Sequence, residues 1–340
     1  MPRTPARLAG RAIVAGIALS ALTLLAASPA SAHTNNLYTY AGYSDPAGFA
    51  TMSRTNADVT ILPSSAQNYD EMIGAEVFDE VGTAIGVNYG EPYEYFVLGW
   101  NHTTGAEDAG VAAFITGAEE GSLYVSGLDT LADGTTITYV EYFAFGSGEF
   151  PEFFSAIATV NKVTGELTPV INLTQFADDD FYVDSLATDP ISGVTYAFLF
   201  SDTDQSSYYS ALDFADSSAS DPAAFTGSGF DGLGGELLGA DFDHDGTLYF
   251  TYANNAEEQY ELSTVTGPST WPTAARQFIG EVGTNYPGGV SLLALTLEYT
   301  ALAATGTIFP VVWLVAATVA VLGGAVTVVS VTSRRKRQGA

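Results

Sequence analysis

The sequence predicts an all-β fold: a β-propeller-like ring of about five four-stranded blades, followed by one C-terminal transmembrane helix. Three observations support the ring. Runs of alternating β-branched and aromatic residues dominate the middle of the chain, turn glycines recur at spacings of 52, 59 and 53 residues, and no amphipathic helix interrupts them. Each unit of about 50 residues is the length four strands and their turns require.

The clearest strands are residues 135–143, 194–200 and 247–252, bounded by Gly, Asn and Asp. The recurring glycines are Gly82, Gly134, Gly193 and Gly246. A short apolar strand precedes each, at 75–78, 125–128, 183–187 and 237–240. Hairpins also repeat: residues 50–60 (with Ser53-Arg54) align with 158–168 (with Asn161-Lys162), and weaker copies are expected near 113–117 and 211–215. Four complete units run from about 72 to 282. The fifth is expected to be split, with its innermost strand at 290–299 and its other three at 36–62, so that joining the chain ends shuts the ring. An array of β-sandwiches is the competing architecture.

Charge separates the ends from the middle. The chain has 39 acidic and 10 basic residues, a net charge of −29. Seven basic residues lie in the first dozen or last seven positions, leaving Arg54, Lys162 and Arg276 against all 39 acids, a balance of −36. Such a surface repels phosphate backbones, which excludes nucleic acid as a partner. With 47% hydrophobic residues the chain has the makings of a core, and with no cysteine it relies on that core rather than on disulfides.

Residues 1–32 read as a signal peptide: arginines, an apolar run at 12–27, and the small-residue site Ala30-Ser31-Ala32. Residues 33–301 are the extracellular domain. After it come the pentapeptide Leu302-Ala303-Ala304-Thr305-Gly306, an uncharged span at 307–332 and a basic tail at 333–340. A span of this length crosses a hydrocarbon core of about 30 Å, and Arg334, Arg335, Lys336 and Arg337 keep the tail cytoplasmic. The N-terminal domain is thereby placed outside the cell, anchored to membrane or wall.

Pentapeptide, span and basic tail in this order resemble the sorting signal of Gram-positive cell-wall-anchored surface proteins, with Ala303 where the usual Leu-Pro-x-Thr-Gly has Pro. The resemblance implies a sortase that cuts between Thr305 and Gly306 and joins the Thr305 carbonyl to an amine of the envelope peptidoglycan. The ectodomain itself resembles secreted β-propeller-like repeat proteins, and no blade carries a family-specific signature.

Two constellations suggest cation chemistry. Asp241, Asp243 and Asp245 before Gly246 match the opening of a calcium loop, but position twelve is Tyr252 where a bidentate Glu is needed. A β-turn with Asp acceptors explains the same residues. Asp79, Asp129, Asp189 and Asp241 each lie three to five residues before a repeat glycine, so a propeller brings them to one face, either as a carboxylate ring or as turn caps. Calcium is the cofactor such carboxylates would take. Asp178, Asp179 and Asp180 form a further acidic run, read chiefly as a solvated loop.

No catalytic residue is assigned. The histidines are His33, His102 and His244, and no Gly-x-Ser-x-Gly elbow is present. Tyr93, Tyr95, Phe96, Tyr142, Phe143, Phe145, Tyr208, Tyr209, Trp100 and Trp271 suit either sugar stacking or cross-strand packing. The expected role is non-enzymatic binding of an unknown ligand (a glycan, a cation or another surface protein), with a glycosidase-like surface hydrolase using propeller-mouth carboxylates as the alternative.

Overall fold

A computed structural model describes residues 36–42, 48–65, 68–78, 81–90, 92–145, 150–178, 180–201, 203–227, 235–254, 259–282 and 291–299. The expected signal peptide at 1–32, the pentapeptide at 302–306, the expected span at 307–332 and the basic tail at 333–340 lie outside these residues. Among the described residues no helix is long and apolar enough to cross a membrane.

The chain opens with β1 (Asn36–Gly42), β2 (Gly48–Ser53) and β3 (Val59–Ile61). The first complete blade is β4 (Glu71–Phe78), β5 (Val81–Asn88), β6 (Glu94–Trp100) and β7 (Val111–Ala112). The second is β8 (Tyr124–Thr130), β9 (Thr136–Phe145), β10 (Pro151–Val160) and β11 (Leu167–Asn172). The third is β12 (Phe181–Thr188), β13 (Thr195–Ser201), β14 (Ser206–Asp213) and β15 (Ser218–Ala219), with β16 (Ala223–Ala224) also on β14. The fourth is β17 (Gly235–Phe242), β18 (Leu248–Asn254), β19 (Gln259–Val265) and β20 (Gln277–Glu281). Finally β21 (Ser291–Tyr299) pairs antiparallel with β1, so the fifth blade has the order β3-β2-β1-β21 and joins the two chain ends. This is a five-bladed propeller of four-stranded sheets, and the sandwich array is excluded.

The core lies between blades. Among the described residues five buried apolar clusters occupy the five interfaces: Leu37 and Met52 meet Leu262, Val87 and Val97 meet Val140, Ile137 and Ile171 meet Val183, Phe198 meets Phe250, and Phe49 meets Met72. A blade alone leaves these faces wet, and only the closed ring buries them all. Each innermost strand is bulged where it pairs with its neighbour, between Met72 and Gly74, Ser126 and Leu128, Val183 and Ser185, and Leu237 and Gly239. A bulge bends a strand and steepens its twist, which suits strands crowded against an axis.

Two expectations need correction. Gly82 is not a turn residue: it lies within β5, where a Cβ would meet the Trp100 carbonyl oxygen at 2.4 Å. Gly134, Gly193 and Gly246 do occupy turns with φ of 86°, 72° and 80°. The outer hairpin of the first blade is formed by residues 101–106 rather than 113–117. Asn101 Oδ1 accepts the N–H groups of Thr103 and Thr104, and Asn161 Oδ1 does the same for Val163 and Thr164. The two turns are copies of one another.

Candidate functional site at the channel mouth

The C-terminal ends of β4, β8, β12 and β17 converge on a cavity of about 40 Å³ lined by Glu76, Asp129, Asp189 and Asp241, together with Thr130 and Thr188. The four strands therefore run the same way, and their ends share one rim of the ring. Three of the four positions expected to form a carboxylate ring, Asp129, Asp189 and Asp241, line this cavity. Asp79 lies outside the described residues, and Glu76 of the same strand supplies the first blade's carboxylate. Its signal in the sequence is an acid inside an otherwise uncharged strand core, Ile73-Gly74-Ala75-Glu76-Val77-Phe78.

Asp129 and Asp241 share one register, each the penultimate residue of an innermost strand. The Oδ1 atom of each accepts the next residue's backbone N–H, from Thr130 and Phe242, at 2.7 Å. The Thr188 hydroxyl of the neighbouring blade donates to Asp129 Oδ2 at 2.5 Å. Burial pushes the Asp129 carboxyl up to about 6 in spite of these bonds, which pull the other way. Asp189 lies one residue beyond β12 and caps a turn, accepting from Ile191 N–H (3.0 Å), Ser192 N–H (3.3 Å) and the Ser192 hydroxyl (2.7 Å).

The Asp241, Asp243, Asp245 series is divided three ways. Asp241 faces the cavity. Asp243 pairs with Arg54 and, at 2.5 Å, with His244 Nδ1, while Asp245 accepts the Thr247 N–H at 2.9 Å. Tyr252 is buried in the core between the third and fourth blades. Among the described residues no group of three or more His, Asp or Glu side chains is arranged to hold a metal ion.

The three basic residues of the domain are placed by the repeat. Arg54 sits in the β2–β3 hairpin and reaches the preceding blade at Asp243 and at the Tyr249 hydroxyl, 2.8 Å away. Lys162 occupies the equivalent place in the β10–β11 hairpin. Burial lowers its pKa, against the opposing charge of Glu76 on the preceding blade. His102, at the same place in the copied hairpin of the first blade, has its ring 5.7 Å from that of Tyr38 on the fifth. Arg276 pairs with Glu261 at 2.5 Å, within the fourth blade.

The aromatic residues divide between core and surface. Trp100 stacks on Phe49 at 4.1 Å, Trp271 is fully buried among rings of the third and fourth blades, and Tyr95 is buried too. Those three are packing residues rather than sugar platforms. Tyr93, Phe143 and Phe145 are exposed, while Phe96, Tyr142, Tyr208 and Tyr209 are half-buried.

No protein-family model matches the chain, and no curated protein is similar to it. Among solved structures it resembles a protein of unknown function from Dyadobacter fermentans, with TM-score 0.47, 11% identity, and 70% of this chain and 73% of that one covered. It also resembles an exo-β-1,3-galactanase from Clostridium thermocellum, with TM-score 0.43, 11% identity, and 65% and 51% covered. A third is the calcium-binding protein regucalcin from Agrobacterium tumefaciens, with TM-score 0.35, 13% identity, and 74% and 79% covered. Likenesses this distant carry no argument about activity.

Proposed function

We propose that the chain is an exported, envelope-anchored display protein whose acidic propeller serves as a non-enzymatic binding module. The location rests on the signal peptide and on the order of pentapeptide, span and basic tail. A sortase breaks the Thr305–Gly306 amide and an envelope amine takes the Thr305 carbonyl, so peptidoglycan becomes the carrier. The mass of the mature C-terminus tests this. A product ending at Thr305 with an envelope fragment attached is expected, and an intact 307–332 span in detergent extracts overturns it.

One observation carries the non-enzymatic half. The acid-lined cavity at the mouth holds about 40 Å³, room for a water molecule. A pocket for a drug-sized ligand spans roughly 300 Å³ or more, so this cavity is too small to enclose a sugar ring. Asp129 and Asp189 are moreover committed to hydrogen bonds that hold the strand ends and turns. Incubation with a panel of polysaccharides is expected to release no reducing ends. Turnover that disappears in Asp129→Asn overturns this reading and restores the glycosidic alternative.

A further inference from the structure

The rim opposite the acidic mouth carries a different surface. Among the described residues it includes parts of the β5–β6 loop and the facing ends of β9 and β10. Tyr89 and Tyr93 of the β5–β6 loop lie exposed with ring centroids 5.4 Å apart. On the β9–β10 hairpin Phe143 packs edge-on against Phe153 at 5.5 Å, and Phe145 and Phe150 are 61% and 80% exposed.

These two groups are continuous. Gly121 lies so close to Pro92 that a Cβ there would meet the proline Cβ at 2.7 Å. Two residues earlier Glu119 donates its N–H to the Phe143 carbonyl at 2.7 Å. One surface therefore runs from the β5–β6 loop of the first blade to the β9–β10 hairpin of the second.

Its charge is of one sign. Glu94, Glu119, Glu120 and Glu152 are all exposed; Glu94 follows Tyr93, Glu152 lies two residues beyond Phe150, and the Glu119 backbone bonds the Phe143 carbonyl. Arg54 and Lys162 sit in hairpins on the mouth side, and Arg276 is buried against Glu261, so all three basic residues of residues 33–305 are accounted for away from this rim. An exposed apolar patch marks an interaction surface, and ring faces bracketed by carboxylates offer a cation both π-electron density and charge.

We infer that this rim of the first two blades docks a cationic peptide segment, one bearing several lysine or arginine side chains. Guanidinium or ammonium groups lie over Tyr93, Phe145 and Phe150, and their aliphatic stems cover ring surface otherwise left in water. The flanking glutamates supply the counter-charge. This deepens the binding reading above and rests on it.

The test is fluorescence anisotropy of a labelled twelve-residue peptide alternating Lys and Gly against the purified full-length chain, with a Gln/Gly peptide and neutral oligosaccharides in parallel. A protein of this charge attracts any polycation weakly, so the variants decide. Phe145→Ser/Phe150→Ser is expected to lose at least ten-fold in affinity with an unchanged melting temperature and salt slope. Glu119→Gln/Glu120→Gln/Glu152→Gln is expected to lose affinity and flatten the salt slope. Asp133→Asn on the mouth side is the control and stays as wild type. Equal binding of the Gln/Gly peptide, or equal loss in the control and the rim variants, overturns the docking surface. Oligosaccharide binding abolished by the rim variants, without peptide binding, also overturns it but keeps the binding module. If no probe binds, the docking surface falls, while the binding module is judged separately by its own tests.

Discussion

Arg54 and Asp243 are 189 residues apart in the chain and form an ion pair that bridges the fifth blade to the fourth. The guanidinium also lies over the Tyr249 ring, 4.5 Å from its centroid. Both side chains are largely buried, so removing one partner leaves the other desolvated. Arg54→Met is expected to destabilise the ring by about 2–4 kcal/mol in urea unfolding. Asp243→Asn added to it is expected to cost little more, and full additivity of the two losses rules out the pair as the cause. Burial alone would raise the Asp243 carboxyl, but hydrogen bonds from His244 and Arg54 outweigh it and hold it below the usual carboxylate range. Its contribution is therefore complete above the unfolded value of 3.8 and fades as pH falls through the lower folded one.

Asp129 behaves in the opposite sense. Its folded pKa of about 6 lies above the unfolded value of 3.8, so between those limits the native state holds more protons than the unfolded one. Stability then falls as pH rises from 4 to 6 and levels off above, by about 3 kcal/mol in all. Asp129→Asn keeps an oxygen for the Thr130 N–H and removes the buried charge. It is expected to melt higher than wild type at pH 7.5 and to lose the advantage near pH 4, as scanning calorimetry at several pH values shows directly. A variant that melts lower at both pH values assigns Asp129 a different role.

These two acids also show where sequence reasoning reaches and where it stops. Strands and turns are local matters: alternation places β9, β13 and β18 within a residue or two, and positive φ demands glycine at 134, 193 and 246. The split fifth blade was legible because a ring of repeats needs its last face covered. The details of the mouth were not. Four residues, 190–193, separate Asp189 from its turn partner Val194, whereas three separate Leu131 from Thr135 and Asp243 from Thr247. The third blade's aspartate consequently sits in the turn, while Asp129 and Asp241 stay in the strand. Glu76 carries no clear sequence signal because its direction depends on a bulge at Ile73, and the long connection after residue 106 masks the hairpin at Asn101 in the repeat spacing.

Gly165 and Gly193 separate backbone strain from crowding. Both have left-handed φ, 79° and 72°. A Cβ at Gly193 would meet nothing within 4 Å, but one at Gly165 would lie 2.0 Å from the Ala112 carbonyl oxygen of the preceding blade. Gly193→Ala is expected to cost about 1 kcal/mol, the strain of the backbone alone. Gly165→Ala adds displacement of a neighbouring strand and is expected to cost about 3 kcal/mol or more. Urea midpoints of the two variants make the comparison, and equal losses remove the interblade contact from the account.

Trp271 tests how the third and fourth blades adhere. Its ring is fully buried, with Tyr196 and Tyr209 centroids at 4.8 Å, Phe225 at 5.3 Å, and Phe242 stacked at 5.7 Å. The indole N–H finds no acceptor among the described residues. Trp271→Ala empties the centre of this cluster and is expected to cost about 3–5 kcal/mol. Trp271→Phe keeps a ring in place and gives up a donor that contributes no hydrogen bond, so it is expected to lose less than half as much. Near-equal losses in the two variants would mean that the N–H is satisfied in solution, by water reaching the blade interface, and that the aromatic packing is secondary there.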